Sequence, residues 1–296
     1  MYPIIFEYNG LVVSSYGLML MLAFLICNYL LKKYLVSINI NGKVADDIIF
    51  YAAIGGIVGA KIYYIVENLN NGEGYKNIEG ILLIFKGIFT FSFSMFATGI
   101  SQFGSGLVFL GGLIGGMIAV SIYIKKNNLQ WTIVSDWVAP YLILGHSIGR
   151  IGCFLVGDCY GKPCDLPWSV SFPNGLPPTT YTSFKYNYPE IFTSSVEQLY
   201  KVNDIIKVHP TQIYETITYF IIFLYLLNAR SKKIYNGQIM YEYLFLAGIS
   251  RFVIEFYRIN PKYLFSMSGA QCISLIMIII SSFLMYNNYR KLDKSV

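Results

Sequence analysis

His146 and Arg150 stand four residues apart inside an apolar run that begins near Thr132, in a chain with only two histidines. On a helix that spacing puts both on one face. An arginine in hydrocarbon costs about 3 kcal/mol or more unless it faces a partner or a wet cavity, so Arg150 marks a functional site by default. The surrounding segment, Gly145 to Pro163, also holds Cys153 and Cys159, and Gly145 and Gly149 have the spacing that lets another helix approach closely. Further along, Arg251-Phe252-Val253-Ile254-Glu255-Phe256-Tyr257-Arg258 sets Glu255 four residues after one arginine and three before the next. His209-Pro210-Thr211-Gln212-Ile213-Tyr214-Glu215 opens another apolar run with a carboxylate. Arginines held by carboxylates at the edge of an apolar phase suit a phosphate, because the guanidinium offers a two-pronged fork that a lysine ammonium cannot match.

The elements that position these groups are apolar. Of 296 residues, 55% are hydrophobic and 13% charged, too little polar surface for a soluble protein of this length. Runs of spanning length fall near residues 11–31, 47–66, 106–124, 132–156, 210–229, 237–257 and 268–286. The net charge of +6 comes from short basic groups between these runs, which argues for membrane topology and against nucleic acid. Lys32, Lys33 and Lys43, then Lys125 and Lys126, then Arg230, Lys232 and Lys233, then Arg290, Lys291 and Lys294 mark alternate connections as cytoplasmic. The expected fold is an all-α integral membrane protein of about seven transmembrane helices, N-terminus outside and C-terminus cytoplasmic. It forms one domain over residues 1–296, with a small extracytoplasmic insertion at 158–208. Within the insertion, the alternation Thr179 to Tyr186 favours a strand or hairpin. Ile81 to Met95, Phe-rich with Lys86 inside it, reads as an interfacial or re-entrant segment. Five cysteines without a CxxC pair give neither a disulfide framework nor a zinc ligand set, and no cofactor is read from the chain.

On that topology the costly residues converge in the outer half of the bilayer: Lys61 on the second run, His146, Arg150 and Cys153 on the fourth, Glu215 on the fifth, Arg251, Glu255 and Arg258 on the sixth. Asp136, Trp137 and Glu242 fall toward the inner face, as solvated interface residues.

Taken together, Gly149-Arg150-Ile151-Gly152 through Gly157 to Gly161, the His209 to Glu215 and Arg251 to Arg258 segments, the Tyr16-Gly17 pair, Gly111-Gly112-Leu113-Ile114-Gly115 and Ser268-Gly269-Ala270-Gln271 resemble the phosphatidylglycerol–prolipoprotein diacylglyceryl transferases. The motifs run in the family's order over nearly the whole chain. The family has seven spans with the N-terminus outside, in agreement with the charge pattern. The resemblance implies transfer of diacylglyceryl from phosphatidylglycerol to the lipobox cysteine of a prolipoprotein signal peptide, with release of glycerol phosphate, at the outer leaflet of the bacterial cytoplasmic (inner) membrane. With the resemblance, Arg150 and Arg251 are read as catalytic, and Arg258, Tyr16, Gly111, Gly112, Glu255 and Gly157, with both arginines, as phosphatidylglycerol-binding; His146 joins the catalytic set on its helical spacing to Arg150 alone, since it does not stand where the family's histidine does. His209, Gln212, Glu215 and Lys61 have supporting places. Three positions depart from the family: Leu110 stands where a His is usual, Cys153 where Asn is frequent, and Asp158 where Glu is usual.

The acceptor thiol has an ordinary pKa of about 8.5, which a cationic site would lower while stabilising charge on the leaving phosphate. His146 or His209 could take its proton. Cys153 and Cys159 allow a relay through an enzyme thiol, although cysteine also packs as a small apolar residue. The alternatives are a divergent homologue acting on another acceptor and a transporter for an anionic substrate, which would be expected to show inverted repeats.

Overall fold

The computed structural model describes residues 3–8, 11–70, 72–104, 106, 108–189, 200–202 and 204–293. Strands β1 (Ile4–Tyr8) and β2 (Leu11–Ser14) pair antiparallel. Ten α-helices follow among the described residues: α1 (Ser15–Ser37), α2 (Lys43–Glu67), α3 (Glu73–Phe89), α4 (Phe93–Gly104), α5 (Phe109–Lys126), α6 (Trp131–Val156), α7 (Tyr181–Asn187), α8 (Thr211–Arg230), α9 (Gln238–Ile254) and α10 (Gly269–Asp293). The first apolar run is therefore not helical from residue 11. The pairing of Leu11–Ser14 with Ile4–Tyr8, both rich in β-branched or aromatic residues, takes its first turn into a hairpin.

Helices α1, α2, α5, α6 and α10 are each long and apolar enough to cross a membrane. Their bare faces carry large apolar side chains, such as Leu25 at 58%, Ile57 at 63% and Ile279 at 65% exposure. In water such faces are an aggregation liability, whereas lipid solvates them. The chain is a multi-pass membrane protein.

Two compact units form, Met1–Tyr34 with Thr132–Val296, and Leu35–Trp131. In the second, α2 and α5 meet through glycines. A Cβ on Gly55 would stand 2.6 Å from the Gly115 carbonyl oxygen, and one on Gly111 would stand 2.5 Å from that of Gly59. This is the small-residue contact that membrane helices use for close approach. Gly115→Val should lower the stability of the purified protein by about 1–3 kcal/mol through overpacking, read as a drop in melting temperature in detergent. The segment Ile81 to Met95 lies at the centre of a helical hairpin, α3 turning into α4 through Phe91 at φ 50°, and its arms have 17 and 12 residues.

In the first unit, Ser147 Oγ of α6 donates to the Thr216 carbonyl of α8 at 2.9 Å, and the Cys27 thiol of α1 donates to the Tyr141 carbonyl at 3.1 Å. Asp136 is not a solvated interface residue. It is 2% exposed, and its carboxylate accepts the backbone N–H groups of Gly237 at 2.7 Å and Met240 at 3.1 Å, capping the start of α9.

Between α6 and α8 the insertion packs its own core from Tyr160, Phe172, Phe184, Ile206 and Val208. Its residues 190–199 and 203 lie outside the described ones. The expected strand at Thr179 to Tyr186 is instead α7, a helix over Tyr181–Asn187. Tyr181 and Phe184, three apart, are both buried, and Tyr188 packs against Phe184 with ring centroids 5.1 Å apart. The alternating polar residues between these aromatics hid their helical spacing.

Candidate active site

Glu215 sits in the second turn of α8, fully buried, and three arginines gather around it. Arg150, from the last two turns of α6, makes an ion pair with it through Nε. Arg251, from the last turn of α9, donates from Nη1 at 2.5 Å, and Arg258 Nη1 stands at 3.8 Å. A second buried carboxylate, Glu255, follows where α9 tightens into a 3₁₀ turn, Glu255–Tyr257. It holds Arg251 Nη2 at 2.8 Å and lies 3.7 Å from Arg258 Nε. Its Oε1 accepts from Ser268 Oγ at 2.7 Å and from Asn260 Nδ2 at 2.5 Å, so the loop before α10 fixes it in turn. Arg251 thus bridges two carboxylates with two different nitrogens, a geometry open to guanidinium and closed to ammonium. Three guanidiniums face two carboxylates, and the side chains of Arg150 and Arg251 stay 24% and 21% exposed, with N–H groups available to a phosphate.

The turn after α6 adds a second set of groups. Gly157, at φ 76°, and Cys159, at φ 57°, fold the chain back so that Cys153, Asp158 and Cys159 place their ligand atoms within 4.8 Å of one another. A Cβ on Gly157 would also come within 2.9 Å of Gly175 and Phe172, so backbone conformation and packing account for this glycine. Gln212 Nε2 donates to the Asp158 carbonyl at 2.5 Å and Thr211 Oγ1 to that of Cys159 at 2.8 Å, pinning the turn to α8. A hydrogen bond with Cys153, then the charges of Arg258 and Arg150, pull the Cys159 thiol below its ordinary pKa. Burial, then the charge of Cys159, pushes Asp158 up to about 6.

Tyr16, at the start of α1, lies against α6. A Cβ on Gly152 would meet its ring at 3.2 Å, and its hydroxyl is within electrostatic reach of Cys153 and Arg150. His146 is exposed, its ring centroid 6.0 Å from that of Tyr219. His209 belongs to a separate aromatic pocket with Trp168, Tyr214 and Tyr257. Its Nδ1 lies 3.2 Å from the Tyr214 hydroxyl, and burial with nearby Lys162 lowers its pKa. Gly111, Gly112 and Lys61 belong to the other unit, where Gly111 serves the α2–α5 contact and Lys61 Nζ, over the Phe103 ring at 4.5 Å, donates to the Gly106 carbonyl at 3.3 Å.

Residues 3–287 match the family model for prolipoprotein diacylglyceryl transferase. The chain belongs to that family. It is 33% identical over 284 residues to the phosphatidylglycerol–prolipoprotein diacylglyceryl transferase of Clostridium tetani, with 96% of each chain covered. It is 30% identical to the namesake protein of Clostridioides difficile, over 93% of this chain and 90% of that one, and 26% identical to that of Thermotoga maritima, over 93% and 81%. These are transferases, and the match leaves no ground for a transporter. Within the family pattern, the sequence reading missed the central place of Glu215, which it set among supporting residues, and the parts of Thr211, Asn260 and Ser268. The available signal was a carboxylate early in an apolar helix, which must be paired to be buried.

Proposed function

We propose that this diacylglyceryl transferase uses the Glu215 arginine cluster to hold the phosphate of phosphatidylglycerol and transfers diacylglyceryl to the lipobox cysteine of prolipoproteins. The observation that carries the reading is the convergence of Arg150, Arg251 and Arg258 on two buried carboxylates, with two of the three still open to a ligand. The acceptor sulfur attacks the terminal glyceryl carbon, the S–C bond forms as the C–O bond to phosphate breaks, and glycerol phosphate leaves with the electron pair. The arginines stabilise the charge that grows on the departing phosphate. Tyr16, packed beside Gly152 and within electrostatic reach of Arg150, supports the site. The thiol proton passes to His146, four residues from Arg150 on the same helix. The direct test is transfer of labelled diacylglyceryl to a lipobox peptide by the purified protein.

A general base contributes roughly 10²–10⁴-fold, so His146→Ala should lower transfer by about that factor with phosphatidylglycerol binding retained. His209→Ala should do less, because its ring is engaged in the aromatic pocket. Near-normal turnover of His146→Ala at neutral pH would remove His146 from the mechanism.

The membrane arrangement that supports this chemistry has seven spans in the bacterial cytoplasmic membrane, α8 and α9 joining the five long helices, with the N-terminus and the 158–208 insertion outside. A topology reporter near Asn187 should read extracytoplasmic and one after Lys233 cytoplasmic. The reverse pattern would take the site away from the outer leaflet.

A further inference from the structure

Cys153, Asp158 and Cys159 form a donor set that phosphate binding does not use. Two sulfurs and a carboxylate oxygen lie within 4.8 Å of one another. A tetrahedral zinc with Zn–S bonds of about 2.3 Å puts its ligand atoms roughly 3.5–3.8 Å apart, so closing this set takes shifts of about an ångström. The turn is built for that convergence. The N–H groups of Gly157 and Asp158 both donate to the Cys153 carbonyl, at 2.9 and 3.2 Å. Cys159 accepts a left-handed backbone, at φ 57°, that is costly for a non-glycine residue. Asp158 Oδ1 is buried without a hydrogen-bond partner, a loss that a bound cation would offset. Arg150 Nη1 donates to Cys153 Sγ at 3.7 Å, the outer partner that orients a metal-binding sulfur. Sulfur donors select zinc over magnesium or calcium. Among the described residues no fourth His, Cys, Asp or Glu completes the set, so a tetrahedral ion keeps one position open.

We propose that Cys153, Asp158 and Cys159 bind a thiophilic divalent cation, zinc by ligand type, whose open fourth position takes the acceptor thiol. The second half rests on the transfer reading. Loading the ion releases the two cysteine protons to solvent, and on coordination the acceptor passes its own proton to His146, since a metal-bound thiol is deprotonated outright. Nothing is oxidised or reduced.

The test uses the full-length protein in detergent, stripped with a chelator and titrated with Cd²⁺, whose thiolate charge-transfer absorption reports sulfur ligation. One Cd²⁺ per chain is expected, retained in Cys164→Ser/Cys272→Ser and lost in Cys153→Ser/Cys159→Ser. Asp158→Asn, which keeps both sulfurs, should bind at least tenfold more weakly. No stoichiometric band in the parent protein, or a band that persists in Cys153→Ser/Cys159→Ser, overturns the site. Zinc loading should then raise transfer to a lipobox peptide at least tenfold over the stripped protein, and binding without that gain overturns the acceptor role. Absence of transfer in both forms counts against the transfer reading, whereas the metal site is decided by the titration.

Discussion

Glu215→Ala should abolish transfer, with a loss of at least about 10³-fold, and should also destabilise the purified protein by about 3–5 kcal/mol. The reason is the position of this carboxylate. It is fully buried, and Arg150, Arg251 and Arg258 all point at it. Removing it leaves three guanidiniums facing one another with only Glu255 between them, and breaking a buried ion pair from one side leaves charge with no partner. Glu215→Gln separates shape from charge. It keeps the volume and one acceptor oxygen, so stability should fall less than for Ala while transfer still falls steeply. Thermal unfolding in detergent beside a transfer assay reads both. A Glu215→Ala protein that melts normally and turns over would remove the carboxylate from the centre of the site.

Arg150→Lys and Arg251→Lys should each lower transfer by roughly one to two powers of ten, from about 1–3 kcal/mol per charge-assisted contact. Charge is conserved in both, so the loss measures geometry. Arg251 reaches Glu215 and Glu255 with separate nitrogens at 2.5 and 2.8 Å, and Arg150 reaches Glu215 and Cys153 in the same forked manner. An ammonium has three donors on a single nitrogen instead of five in a fixed fork, so it cannot reproduce both ties in the same geometry and leaves fewer donors for the phosphate. Arg251→Lys should lose more, because it gives up a bridge between two buried carboxylates. Unchanged turnover in both variants would make these arginines structural.

Residue type and spacing carried the arginines a long way. Arg150 was conspicuous because an apolar run does not hold an arginine without cause, and Glu255 because helical spacing sets it beside Arg251. Five of the seven apolar runs were legible for the same reason as helices long and apolar enough to cross a membrane, since about twenty consecutive apolar residues have few other uses. What stayed hidden depends on the turns between helices. Nothing local in Gly157-Asp158-Cys159 announces a left-handed cysteine, yet these two left-handed residues, with the ties from Thr211 and Gln212, bring Cys159 back to Cys153. Glu215 could be placed at the start of its helix but not at the meeting point of three arginines, because that choice of partner is tertiary. Asp136 looked like an interface residue, since the N–H groups it caps lie about a hundred residues away in the chain. The strand expected at Thr179 to Tyr186 failed because the period-two pattern of its polar residues competed with the period of Tyr181, Phe184 and Tyr188, and burial of the aromatics decided.

The most direct measurement is the release of glycerol phosphate from headgroup-labelled phosphatidylglycerol by the purified protein, with and without a lipobox peptide. One glycerol phosphate per thioether formed, and none without peptide, is the expected result. Release without peptide would contradict direct attack by the acceptor thiol and point to hydrolysis or to a lipid held on Cys153 or Cys159, and no release in either case would contradict the proposed transfer itself.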